Sequence, residues 1–187
     1  TFTLNDGSTV EIVIVGELTS SIYSSEAPVA DITSVIIGQG VTSIGFFAFS
    51  GATSLTAISI PEGVTSIGIG AFREATALTS VTFAEGSKLT SIGNAAFQEA
   101  TSLTAISIPA SVISIGDNAF YEVTSLTSVT FEENSQLTSI GRNAFNATSL
   151  TSFIIPASVT YIGEGAFYVA SSLTSINIPA SVTFFSL

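Results

Sequence analysis

Residues 55–77 read LTAISIPEGVTSIGIGAFREATA, and this stretch decides the fold because the chain repeats it along most of its length. Its landmarks are the leading Leu55, the alternating Ile58-Ser59-Ile60, Pro61, then Val64, Ile67-Gly68 and Ala71-Phe72. The leading position recurs at Ile32, Leu55, Leu78, Leu103, Leu126, Leu150 and Leu173, with spacings of 23, 23, 25, 23, 24 and 23 residues. A period in this range marks a stacked array, in which no copy buries its apolar face alone.

The departures are orderly. The copies at Leu78 and Leu126 replace the proline turn with FAEGSKL and FEENSQL, each two residues longer, and the copy at Leu126 loses one residue in its last turn. Length changes therefore fall in turns, as they must when every copy is one coil whose core positions keep register. The L-x-x-I-x-I run alternates apolar with small polar residues, the pattern of a strand with one buried face. Pro61, Pro109, Pro156 and Pro179 follow it directly and end the ladder, since proline has no N–H. V-T-S-I reads as a second short extended segment. The glycine after it (Gly45, Gly68, Gly93, Gly116, Gly141, Gly163) marks a place where a Cβ would obstruct the backbone. The x-x-A-F-x-x-A stretch is expected to form one short helical turn. Stacking then lines the interior with the Leu position, the strand apolars, Val64 and Ile67 with their equivalents, and Phe49, Phe72, Phe97, Phe120, Phe145 and Phe167. At about 4.8 Å per strand, seven coils make a parallel sheet about 30 Å long.

These residues closely resemble the BspA-type leucine-rich-repeat family, whose unit is similar to LxxIxIPxxVxxIGxxAFxxxxx. The match runs from about Ile32 to Val182, and the I-P, I-G and A-F landmarks keep a fixed order. The resemblance implies an α/β, strongly β-rich solenoid: a parallel β-sheet of about seven stacked coils with short helical turns. Residues 1–31 are expected to form an N-terminal β cap, with Asn5-Asp6-Gly7 as a hairpin turn. Residues 32–187 are expected to form one continuous solenoid domain. The family's usual small or Cys residue in the last turn falls here on Ala52, Ala75, Ala100, Val123, Ala147 and Ala170. The resemblance further implies a surface-exposed or secreted protein that binds other proteins, often in adhesion, with no fixed binding residue.

Composition narrows the function. Apolar residues are 46% of the chain, enough for a core, and charged residues only 9%, against roughly 25% in an average domain. Acidic residues number 14 against Arg73, Lys88 and Arg142, for a net charge of −11. Such a chain repels phosphate backbones and carries no basic stripe, so nucleic acid and anionic membranes are poor partners. No apolar run approaches the ~20 residues of a membrane span. Histidine, cysteine, methionine and tryptophan are all absent, which removes the usual bases, nucleophiles and soft metal ligands and implies no cofactor. The chain opens at Thr1 without an initiator methionine or an apolar leader, which reads as a processed chain or an excerpt and favours export.

What remains for chemistry is carboxylates and hydroxyls. Glu62 and Glu85 occupy equivalent turns of adjacent copies, and Glu132-Glu133 is an acidic pair. Stacked carboxylates can hold a hard cation, but Ala110 and Ala157 interrupt the column, so solvated surface charge is the reading carried forward. Asn146-Ala147-Thr148 is an N-glycosylation sequon. The threonines at 33, 56, 79, 104, 127, 151 and 174 form a ladder that suits either the start of each strand or an ice lattice. The outward strand positions are nearly all small, whereas interfaces draw energy from aromatic anchors. Anchors stand instead in the outer turns and at the last copy: Phe46, Phe47, Tyr121, Tyr168, Phe184 and Phe185, each free either to dock on a partner or to fold back on the core. The last copy, LTSINIPASVTFFSL, lacks the I-G and A-F half, which leaves a folded-over cap, a continuing chain or a stacked second copy as ways to cover it.

Two functions follow. One is a non-catalytic, extracellular or cell-surface scaffold that binds a protein or a glycan through these anchors. The other is a self-assembling subunit of an extracellular filament or coat, with or without glycans, in which the same surfaces bind copies head to tail.

Overall fold

The computed structural model describes residues 2–4, 9–10, 16–18 and 29–185. Each copy contributes two short strands, and stacking turns these into two columns. The Leu-led column holds β4 (Ile32–Val35), β6 (Ala57–Ile60), β8 (Ser80–Phe83), β10 (Ala105–Ile108), β12 (Ser128–Phe131), β14 (Ser152–Ile154) and β16 (Ser175–Asn177). The V-T-S-I column holds β5 (Val41–Ile44), β7 (Ser66–Ile67), β9 (Ser91–Ile92), β11 (Ser114–Ile115), β13 (Ser139–Ile140), β15 (Tyr161–Ile162) and β17 (Phe184–Phe185). The chain is thus a parallel β-solenoid. Ahead of it, β1 (Phe2–Leu4) runs antiparallel to β2 (Thr9–Val10) and to β4, while β3 (Gly16–Leu18) pairs in parallel with β5. The Asn5-Asp6-Gly7 turn lies outside the described residues.

The two columns differ in continuity, and the longer sheet is not where the alternation alone puts it. The V-T-S-I column forms one unbroken eight-stranded sheet from β3 to β17, whereas the Leu-led strands after β4 join only in pairs: β6–β8, β10–β12 and β14–β16. Proline accounts for part of this. Ala84 N–H donates to the Ile60 carbonyl and Glu132 N–H to the Ile108 carbonyl, both at 3.0 Å, closing the first two pairs. The equivalent positions one coil later are Pro109 and Pro156, which have no N–H to give.

The stretch expected to be one helical turn is a run of hydrogen-bonded turns. In the copy at Leu55, Ala71, Arg73 and Ala75 N–H groups bond three residues back, to Gly68, Gly70 and Phe72 carbonyls. The alternate amides of Gly70, Phe72 and Glu74 cross instead to Asn94, Ala96 and Gln98 of the next coil at 2.7–2.9 Å. A helix keeps its N–H groups to itself, so this stitching is incompatible with one. The alternation needs left-handed backbone twice in the copy, at Gly70 (φ 61°) and Glu74 (φ 59°), and the other complete copies repeat it. Val169 holds the second position at φ 55°, an outlier for a β-branched residue.

The glycine column has a different cause. A Cβ on Gly68 would lie 2.7 Å from the Gly45 carbonyl carbon, and one on Gly141 would lie 2.5 Å from the Asp117 nitrogen. Neighbouring coils touch backbone to backbone there, and only glycine fits.

Inside, the phenylalanines stack along the axis. Phe49, Phe72, Phe97, Phe120 and Phe145 are fully buried, with successive ring centroids 5.1–5.3 Å apart and planes within 10°. Such stacks add to area burial, which supplies most of the stabilisation. The ladder ends on half-buried Phe167, beside Leu173, Ile176 and Val182, also only partly covered. The threonines act as extra rungs: Thr79, Thr127 and Thr174 hydroxyls donate to Thr56, Thr104 and Thr151 carbonyls at 2.9–3.2 Å. Hydroxyls turned along the coil axis in this way serve the stack, which favours the strand-start reading of that ladder.

Candidate functional site

The acidic candidates are dispersed. Among the described residues no group of three or more Asp, Glu, His or Cys converges as a metal site would require. Glu62 pairs with Lys88 at 3.0 Å, and a Glu132 carboxylate oxygen accepts the Ala110 N–H at 3.0 Å. The other cations are paired as well, Arg73 with Glu74 at 3.0 Å and Arg142 with Glu164 at 3.2 Å. All three pairs are solvent-exposed and add little stability. Their consequence is electrostatic, because 14 acidic residues face only three cations and the net charge stays at −11. The Tyr121 phenol is raised above 10.0 by its hydrogen bond to the adjacent Glu122 carboxylate and by that group's charge.

The expected anchors sit on four coils. Phe46 (60% exposed) and Phe47 (45%) project from the turn of the first copy. Phe47 also lies over the next coil, where a Cβ on Gly70 would fall 2.4 Å from its ring. Tyr121 is half-buried on a middle coil, while Tyr168 is exposed and adjoins exposed Val169. Phe184 and Phe185 lie on β17, and Phe184 stacks on Tyr161 with centroids 5.1 Å apart. Tyr161 escaped the sequence reading. Its signal was columnar: Tyr161 and Phe184 stand where Ser43, Ser66, Ser91, Ser114 and Ser139 stand in the preceding coils.

A groove was also missed. It has a volume of about 560 Å³ and lies between β12 and β14, where the Leu-led ladder is interrupted. Ser128, Thr130, Ser152 and Ile154 form its floor, with Glu132 and Asn134 of the long turn on one side and Pro156 and Ala157 on the other. Ile154 leaves 72% of its surface bare. The wall is high because FEENSQL is longer than the proline turn of the next coil.

Asn146 is not presented to solvent. It is 9% exposed, and its Nδ2 donates to Asn143 Oδ1 at 3.3 Å. Thr148 is more deeply buried, and its hydroxyl donates to the Phe145 carbonyl at 2.9 Å. In other coils that carbonyl receives a backbone N–H, as from Ala75 to Phe72. The missing residue of this copy thus moves the buried last-turn position from Ala147 to Thr148, while Ala147 takes the left-handed one at φ 56°. The sequon is part of the packing, and this placement argues against a glycan on Asn146 in the folded chain.

The model of the BspA type leucine-rich-repeat region matches residues 20–131 and 90–186, six copies in all. The chain belongs to the BspA-type leucine-rich-repeat family. Solved structures similar to this BspA-type chain include the pneumococcal vaccine antigen PcpA, 26% identical over 82% of the chain, TM-score 0.68. A leucine-rich-repeat protein from Bacteroides ovatus is 32% identical over 78%, TM-score 0.69. A leucine-rich cell surface protein from Faecalibacterium prausnitzii is 31% identical over 77%, TM-score 0.55. The chain spans only 40%, 37% and 45% of the lengths of these three. Among curated proteins none is significantly similar in sequence.

Proposed function

We propose that this chain is a non-catalytic protein-binding scaffold of the adhesion type, displayed on or outside the cell surface. The observation that carries the reading is the set of bare anchors, Phe46, Phe47 and Tyr168 with Ile36 and Ile154, at 45–72% exposure on a frame with a continuous buried core. Large exposed apolar side chains are the usual source of interface energy. The family is one of repeat proteins, and two similar structures are described as a vaccine antigen and a cell surface protein. In this reading residues 32–187 act as one continuous solenoid domain closed at its start by the cap 1–31. No helix among the described residues is long and apolar enough to cross a membrane. To test it, the chain is immobilised and offered purified extracellular-matrix and cell-surface proteins, beside a Phe46→Ser/Phe47→Ser/Tyr168→Ser variant. Saturable binding that weakens at least tenfold in the variant is expected, as the loss of three aromatic anchors predicts. Binding to none of them, or equal binding by the variant, refutes the proposal.

A second reading rests on the last coil, where the Tyr161–Phe184 stack stands exposed beside half-covered Phe167, Leu173, Ile176 and Val182. An exposed aromatic pair of this kind suits a second copy and makes the chain a subunit of an extracellular filament or coat. Sedimentation velocity over a wide concentration range decides it: mass growth suppressed by Tyr161→Ser/Phe184→Ser supports assembly, and a constant monomer discards it.

A further inference from the structure

We infer that the groove between β12 and β14 seats a protein segment carrying a basic side chain beside an apolar one. This inference rests on the scaffold reading and names the site and its partner's chemistry. The cavity, about 560 Å³, falls within the size of ligand-binding clefts. Its floor combines small hydroxyls, Ser128, Thr130 and Ser152, with Ile154, a large apolar side chain 72% bare. The same outward position holds Ser59, Thr82, Ser107, Thr130 and Asn177 in five other coils, and a bare isoleucine recurs only at Ile36 of the first copy.

The charge argument comes from comparison within the chain. The junction one pair of coils earlier has a long turn of the same length, FAEGSKL, against FEENSQL here. That turn carries one carboxylate, Glu85, and one cation, Lys88, which pairs with Glu62 at 3.0 Å. Here the lysine has become Gln136 and an alanine has become Glu132, so the turn carries two carboxylates and no cation. None of the groove's lining residues is basic, and all three cations of the chain are paired elsewhere. A floor of small hydroxyls and one bare isoleucine, beside an acidic turn with no cation of its own, is complementary to a peptide that alternates apolar and basic residues.

The probe is a capped hexapeptide of alternating leucine and lysine, titrated by calorimetry and by backbone NMR shifts. Saturable binding with shifts centred on residues 128–135 and 152–158 is expected. Glu132→Gln/Glu133→Gln weakens it roughly fivefold and removes most of its salt dependence. Ile154→Ser weakens it roughly tenfold, the effect of losing one buried aliphatic contact. These side chains face outward, and circular dichroism of each variant verifies the fold. The inference is overturned if the peptide does not bind, if both variants bind as wild type does, or if a glutamate-for-lysine peptide or a neutral oligosaccharide binds as well. A partner protein held equally by wild type and groove variants would overturn the groove while leaving the scaffold standing.

Discussion

Replacing Phe97 by alanine removes the middle ring of the phenylalanine stack. Phe97 is fully buried, with Phe72 5.1 Å away on one side and Phe120 5.2 Å away on the other. Deleting a buried phenylalanine costs about 3–5 kcal/mol in lost transfer energy and residual cavity. Coils above and below are held at fixed spacing by backbone rungs, for example Phe72 N–H to the Ala96 carbonyl at 2.7 Å, so the cavity has little room to collapse. The expected cost is therefore at the upper end, about 4–5 kcal/mol. Phe167→Ala is the control. Phe167 is only half-buried and belongs to the last complete turn, so its removal is expected to cost about 2 kcal/mol. Urea unfolding followed by circular dichroism measures both, with an unchanged m-value verifying the comparison. A Phe97→Ala cost below about 2 kcal/mol, or one equal to that of Phe167→Ala, would refute the claim that the fixed coil spacing keeps the cavity from collapsing.

Further expectations follow from single positions. Gly116→Ala places a Cβ 2.6 Å from the Asn94 nitrogen and should cost about 2 kcal/mol or more, whereas Gly38→Ala meets nothing within 4 Å and should stay within about 0.5 kcal/mol; thermal melts compare them. Val169→Asn relieves a left-handed β-branched residue and should raise the melting temperature by a few degrees, a stabilisation of about 1 kcal/mol. Thr148→Val leaves the buried Phe145 carbonyl without its donor and should lose about 1–2 kcal/mol in the same melts. Tyr121 should ionise above 10.0 because the carboxylate of Glu122 favours the neutral phenol, so its small contribution to stability is present below pH 10.0 and lost as pH rises through the higher folded-state value. Ultraviolet titration of wild type and Glu122→Gln should show the variant ionising at lower pH.

The fold was legible because every structural demand recurs in several copies. A buried Phe97 or Leu103 repeats at a fixed interval, and repetition separates core from chance. The turns were less legible. Alternating rungs within and between coils involve backbone N–H groups, which leave only faint side-chain signals: Gly70, Asn118 and Asn143 tolerate left-handed backbone, but Phe47, Glu74 and Val169 occupy it too. The shift of the buried position to Thr148 was hidden, since a deletion within a turn can be aligned two ways and only packing chooses. Of the surface, single aromatics were legible and their groupings were not. Tyr161 meets Phe184 across a gap of 23 residues, and the groove depends on two adjacent turns differing in height.

The interrupted Leu-led column has a consequence for how the molecule lengthens. Residues 55–102 and 103–149 are near copies of each other, each a proline coil followed by a long-turn coil, and each forms one closed strand pair. Across residues 55–149 the sequence thus repeats with a period of two coils, not one. Duplicating such a block keeps each long turn beneath a proline turn and reproduces the junction at which the groove lies. Duplicating a single coil sets prolines or long turns side by side, and shifts the phase of everything after it. A chain that grows by pairs copies its crevices along with its framework, and each new crevice can diverge while the spine behind it stays the same.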